Sequence, residues 1–317
     1  MKKARAWADA SLLIVTLIWG SAFVLVKDVV QTVPPIVLVA TRFLAATVLF
    51  GIVMARRLRF INRRLLAAGS LIGVILFSGF ILQTVGIEYT SASKAAFITA
   101  LSVVMVPLFA ALILKRKPTT LSLIGVGLAT LGLALLTLHP GPEAGDHAIA
   151  GIPVNVGDII TFMGAIAFAL HIVFVGKYAP FLDVPLLVFI QMATVTAISW
   201  GEIGIGAVME GVIAGLRGNP GMLGPSGISQ LTFETWAAVL FLGVFGTALA
   251  FFIQNAAQRF TTPTRVAIIF STEPVFAAIF ARVFLGETLG MRGVLGSILI
   301  LAGTIVAEMP ARFLERY

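Results

Sequence analysis

Cysteine is absent from the 317-residue chain, which excludes a disulfide framework, a thiolate nucleophile and any cysteine-ligated metal. Charge is scarce too: Asp, Glu, Lys and Arg together make up 11% of the residues, far too few to cover a water-soluble globule of this size. Imidazole is limited to His139, His147 and His171. Acidic residues number 14 against 22 basic ones, leaving a net charge of +8. No nucleic-acid surface follows from that excess, because the bases stand in short segments beside apolar runs, where they set membrane orientation. What fills the chain is apolar, with 59% hydrophobic residues and a mean hydropathy of +1.05. This balance belongs to an integral membrane protein.

Apolar runs of about 17 to 22 residues, the length a helix needs to cross about 30 Å of hydrocarbon, recur ten times. They cover residues 10–26, 34–55, 65–87, 92–114, 121–138, 158–175, 184–201, 235–257, 263–285 and 293–309. The expected fold class is therefore an all-α integral membrane protein with ten transmembrane helices. Lys2, Lys3 and Arg5 followed by LLIVTLIWG resemble a signal peptide, but the run continues to Val26 and has a counterpart in the second half, so it reads as a retained span. With a cytoplasmic N-terminus, sixteen bases fall on the cytoplasmic side and five, Lys27, Lys94, Arg217, Arg282 and Arg292, on the other. Arg42 alone is left inside a helix. That imbalance puts both termini in the cytoplasm.

One stretch occurs twice. Gln83–Ala96, QTVGIEYTSASKAA, and Gln254–Ala267, QNAAQRFTTPTRVA, share a pattern: Gln, five residues, an aromatic, Thr, then alternating hydroxyl residues before a base. Gln83 and Gln254 are 171 positions apart, as are Lys94 and Arg265, Gly125 and Gly296, and Gly132 and Gly303. Asp9 and Asp158, and Arg42 and Gln191, are instead 149 apart, so 22 residues are inserted between Gln191 and Gln254. The Gly-rich segment Gly201–Ser229 is the expected place, read as an extracytoplasmic loop over 202–234. The chain thus divides into a first five-helix repeat (1–139), an extracytoplasmic linker (140–157) and a second five-helix repeat (158–317). Five spans is an odd number, so the second repeat enters the membrane from the opposite side. Two inverted repeats offer two nearly equivalent shapes around a midplane site, which suits alternating-access transport.

These residues resemble the drug/metabolite transporter superfamily in its EamA-type branch of ten-helix carriers. The likeness rests on Trp19-Gly20-Ser21-Ala22-Phe23 with Lys27, Arg42-Phe43, Gln254 to Gln258, Thr272 to Ala278, Leu285-Gly286-Glu287 and Gly296 to Gly303. Where such carriers often have Leu-Gly-Glu after the fourth span, this chain has Lys115-Arg116-Lys117-Pro118. The resemblance implies a 5+5 inverted-repeat bundle whose central cavity exports or exchanges small metabolites, amino acids among them, across a bacterial inner membrane.

Glu273 lies about eight residues into the ninth run, near mid-depth, where an ionised carboxylate costs of order 3 kcal/mol. Protonation removes most of that cost, so Glu273 is expected to be a proton-coupling or substrate-amine site. The competing reading is a protonated or arginine-paired structural carboxyl beside Pro274. Arg42 sits about a third of the way into the second run and needs a partner: a carbonyl, a lipid phosphate, Glu273 or a substrate carboxylate. Trp19, beside Gly20 and Ser21, reads as cavity wall or as simple helix packing. His171 reads as a satisfied buried polar residue or as cavity lining. The expected substrate-binding set is Trp19, Ser21, Arg42, Gln83, His171, Gln191, Gln254 and Glu273. Lys94 and Arg265 fall in the first turns of the fourth and ninth helices, where a cation opposes the dipole and something negative should offset it. They are expected to contact lipid phosphate or to form a symmetric pair of gates. Ser91 and Thr262 are the expected N-caps of those helices.

The expected partners are a small-molecule substrate, the bilayer and a coupling proton; no cofactor is called for. Two other functions compete: a membrane-embedded enzyme acting on lipid-like substrates, and efflux of drug-like compounds. His139 and His147 with Glu143 and Asp146 in a Pro/Gly loop have a composition such an enzyme could use to hold a metal; the competing reading is an ordinary solvated loop.

Overall fold

The computed structural model describes residues 2–113, 120–137, 148–149, 152–216, 232–260, 263–270 and 272–308. Helices occupy all ten positions where apolar runs are expected. In order they are α1 (Lys2–Val29), α2 (Pro35–Met54), α3 (Arg63–Tyr89), α4 (Ala92–Ile113), α5 (Thr120–Thr137), α6 (Val156–Tyr178) and α7 (Val184–Leu216). The eighth position holds α8 (Phe233–Gly243), a π-helical turn (Val244–Leu249) and α9 (Ala250–Ala257). The ninth holds α10 (Pro263–Phe270) and α11 (Glu273–Phe284), and the tenth α12 (Met291–Glu308). Seven of these rods are long and apolar enough to cross a membrane: α1, α2, α3, α4, α6, α7 and the stretch from α8 through α9. A two-stranded antiparallel ribbon, β1 (Ala148–Ile149) with β2 (Ile152–Asn155), precedes α6.

Local chemistry sets the helix ends. Asn62 Oδ1 accepts from the Leu65 amide at 2.9 Å to start α3, and Asn155 Oδ1 accepts from Gly157 at 2.7 Å to start α6. Ser91 Oγ accepts from the Lys94 amide at 3.3 Å, as its N-cap reading requires. Thr262 lies outside the described residues.

The contacts obey the expected exchange of repeats. With first-half spans matched to second-half spans, α3 against α6 mirrors α9 against α1, and α4 against α6 mirrors α10 and α11 against α1. The α2–α7 and α5–α12 pairs map onto themselves. Such self-related pairs must lie on the pseudo-two-fold axis, and single residues show it. Thr47 Oγ1 is 2.9 Å from Thr196 Oγ1, its own mate at a separation of 149. On α5 and α12, a Cβ on Gly132 would stand 2.6 Å from the Gly296 carbonyl oxygen, and one on Gly303 would stand 2.6 Å from that of Gly125. Gly125 thus opposes Gly303 while Gly132 opposes Gly296, so α5 and α12 run antiparallel. An inverted pair of repeats requires that direction.

Two expectations change. The segment read as a loop over 202–234 begins as helix, because α7 continues to Leu216. After Pro185 the next proline is Pro220, so no breaker stops the helix earlier. The ninth run, expected as one span over 263–285, is interrupted between Phe270 and Glu273. Pro274 donates no backbone hydrogen bond and its ring collides with the carbonyl four residues back, so α11 starts afresh there.

The π-turn refines the insertion. Gly73 packs against Thr194 and the Gln191 carbonyl, while Gly243 packs against the Arg42 carbonyl and Ala45. Those partners are mates, yet Gly73 and Gly243 are 170 apart rather than 171. A π-turn is an α-helix with one extra residue. Val244–Leu249 therefore holds one inserted residue, and the remainder lies in the glycine-rich stretch.

Candidate functional site

A cavity opens between the repeats, leaving about 80 Å³ to the centre of a water-sized sphere. The space admits several waters or a small solute. Repeat mates line it in pairs: Trp19 with Phe168, Ala22 with His171, Phe23 with Ile172, and Phe80 with Phe251. Gln83 with Gln254, Thr99 with Phe270, and Ser102 with Glu273 complete the set. The cavity therefore straddles the pseudo-two-fold axis.

Its charge does not respect that axis. Arg42 comes from the first repeat, and its mate Gln191 is neutral; Glu273 and His171 come from the second, and their mates are Ser102 and Ala22. Arg42 is 3% exposed, donates Nε to Thr247 Oγ1 at 3.0 Å, and lies 4.7 Å from the Phe80 ring centroid. No carboxylate pairs with it among the described residues, and its terminal nitrogens meet no acceptor there. The π-turn holds both sides of this corner. Thr247 belongs to it, and the Trp19 indole Nε1 donates to its Gly246 carbonyl at 2.9 Å. Gly20 lets α1 approach α11, since a Cβ there would stand 2.6 Å from Phe276 Cβ.

His171 is held by a one-way relay. Asn255 Nδ2 donates to the Phe251 carbonyl at 2.8 Å, a group that can only accept. Asn255 Oδ1 must then accept from Gln191 Nε2 at 3.1 Å, which turns Gln191 Oε1 toward His171 Nε2 at 3.0 Å. His171 Nε2 therefore carries the proton, and a neutral ring keeps Nδ1 as an acceptor. Glu273 occupies the first turn of α11, where aligned peptide dipoles favour negative charge. Its carboxylate has no hydrogen bond or ion pair among the described residues.

The EamA-like transporter pattern matches residues 6–138 and again 155–309. The chain belongs to the EamA-like transporter family. A protein of Archaeoglobus fulgidus described as an uncharacterized transporter is 28% identical over 305 residues, covering 96% of this chain and 87% of that protein. The uncharacterized transporter YyaM of Bacillus subtilis is 25% identical over 293 residues, 91% of this chain and 89% of that one. A solved crystal structure superposes with a TM-score of 0.64 at 18% identity, covering 98% of this chain and 99% of that chain, which speaks for the fold. This EamA-like protein is thus a multi-pass, all-α membrane transporter, and its family implies a small-molecule substrate and a bilayer environment.

Of the site residues expected in this EamA-like protein, Trp19, Arg42, Gln83, His171, Gln254 and Glu273 line the cavity. Ser21 and Gln191 do not. Ser21 Oγ donates to the Ile18 carbonyl at 2.7 Å, and Gln191 is fully buried behind His171. Lys94 is not left to lipid: its Nζ sits 2.6 Å from Asp158 Oδ2, whose other oxygen accepts from Thr90 Oγ1 at 2.8 Å. Glu287, from the Leu-Gly-Glu stretch, accepts the Ala92 and Ser93 amides at 2.8 and 3.0 Å. These two carboxylates are the negative charge that the cation in the first turn of α4 calls for. Lys27 Nζ caps the other side of the same hairpin, donating to the Ile87 and Thr90 carbonyls at 3.0 and 2.7 Å. The side chain of Arg265 and the segment holding His139 and His147 lie outside the described residues.

Thr99, Ser102, Phe80, Phe168, Phe251 and Phe270 line the cavity without having been singled out from sequence. Adding 149 or 171 to each candidate reaches Phe168 from Trp19, and subtracting 171 reaches Ser102 from Glu273. The signal was present in the repeat.

Proposed function

We propose that this EamA-like transporter carries a small zwitterionic metabolite, an amino acid being the simplest, by rocking its two repeats about the cavity. The observation that carries the reading is Arg42: a buried guanidinium, unpaired with any described carboxylate, on the wall of the cavity between the repeats. A charge in that position needs a counter-ion, and a substrate carboxylate arriving bidentate suits the guanidinium fork. Glu273 in the same cavity supplies the complementary charge for an ammonium. Six aromatic rings among the lining residues favour an apolar or aromatic side chain.

The further assignments are ten crossings, both termini in the cytoplasm, residence in a bacterial inner membrane, and export or exchange coupled to a proton through Glu273. The sixteen-to-five distribution of bases supports the orientation. The test is flux into proteoliposomes of purified protein, screened over radiolabelled amino acids and nucleobases. Saturable flux of an amino acid, lost in Arg42→Met, supports the reading. Flux confined to nucleobases, or amino-acid flux indifferent to Arg42→Met, rejects it.

A further inference from the structure

Gln83 and Gln254 are mates on one cavity, but their amides are in different situations. Gln83 Nε2 donates to Thr99 Oγ1 at 3.1 Å. The mate of Thr99 is Phe270, which has no hydroxyl to offer, and it packs its ring 4.9 Å from that of Trp19 instead. Gln254 therefore lacks the hydroxyl to which its mate's amide nitrogen donates, and its amide oxygen is unmet as well. The residue is 1% exposed, its Oε1 meets no donor, and the side chain lines the cavity. An unmet buried acceptor is costly, so its persistence calls for a group that meets it part of the time.

Other free acceptors stand on the same repeat. His171 Nδ1 is left over by the relay through Gln191 and Asn255, and the Glu273 carboxylate has no described partner. The first repeat offers the opposite: the unengaged donors of Arg42, with its glutamine tied down. The groups left without a described partner thus include donors of Arg42 on the first repeat and three acceptors on the second.

We propose that Gln254, and not its mate Gln83, receives the hydrogen-bond-donating end of the substrate, acting beside Glu273 and His171, while Gln83 serves as a strut to α4. This deepens the transport-site reading and rests on it. A ligand with a carboxylate and an ammonium enters in one orientation only, its ammonium toward the second repeat.

The test uses purified full-length protein in nanodiscs and three probes of one size: L-phenylalanine, phenethylamine without the carboxylate, and 3-phenylpropionate without the amine. Gln254→Leu is expected to weaken binding of L-phenylalanine and phenethylamine by about tenfold or more while leaving 3-phenylpropionate unchanged. Without probe, its unfolding temperature should match or exceed wild type, since an unmet acceptor has been removed. Gln83→Leu should do the reverse, lowering the unfolding temperature with little change in probe selectivity. Should Gln254→Leu fail to fold, Phe270→Thr supplies a hydroxyl able to donate to Gln254 Oε1 and should give the same selective loss, with Phe270→Ala as the packing control. Equal weakening of all three probes together with a lowered unfolding temperature, or no weakening at all, overturns the proposal. Wild type binding none of the probes would instead overturn the zwitterion reading beneath it.

Discussion

Arg42 is the residue on which substrate charge turns. Its Nε is held by Thr247 and its plane lies over Phe80, so the terminal nitrogens are presented in a fixed attitude. Arg42→Met should lower the apparent affinity for an amino acid by roughly ten- to a hundredfold, the range for a charge-assisted hydrogen bond. Arg42→Lys should not restore it, because an ammonium is a point charge without the fork. Thr247→Val, which removes only the Nε partner, should fall between; concentration-dependent uptake orders the three. Glu273→Gln keeps shape and removes charge. If Glu273 couples a proton, this variant retains substrate exchange but loses the response to an imposed pH gradient, and an unchanged response would remove the coupling assignment.

Among the elements, the hairpin between α3 and α4 is fastened by three charged side chains from elsewhere in the bundle. Lys27, Asp158 and Glu287 all converge on it, whereas the positions matching Lys27 and Glu287 in the other repeat are Gly176 and Arg116. Asp158 is 3% exposed, so Asp158→Asn leaves the Lys94 ammonium without its partner and should cost about 3–5 kcal/mol. The double variant Lys94→Met with Asp158→Leu should recover most of it, read by thermal unfolding in detergent. At the α5–α12 crossing, Gly132→Leu and Gly303→Leu should each loosen the bundle, because a backbone carbonyl stands 2.6 Å from the first added carbon.

These elements also separate what the sequence can carry from what it cannot. Apolar length located all ten helical positions, and the spacing of Gln83 and Gln254 exposed the duplication from which the cavity is built. Hydropathy says nothing of which face a serine presents, and the hydroxyl of Ser21, expected at the cavity, bonds its own helix. The Lys94–Asp158 pair joins residues far apart in sequence, and no local pattern announces it. The π-turn changes a spacing by one residue, which became visible only once Gly73 and Gly243 were seen against mated partners.

At the scale of the whole molecule, the proposed transport cycle opens a cavity assembled from mated residues to either side in turn, by movement of two inverted repeats. The natural absence of cysteine makes that directly measurable. Ser102→Cys places a small thiol on the cavity wall with little change of volume. Membrane-impermeant thiol reagents applied separately to each face of sealed vesicles should both modify it, and saturating amino-acid substrate should slow both reactions. Modification from one face only, under every condition, would contradict alternating access through this cavity.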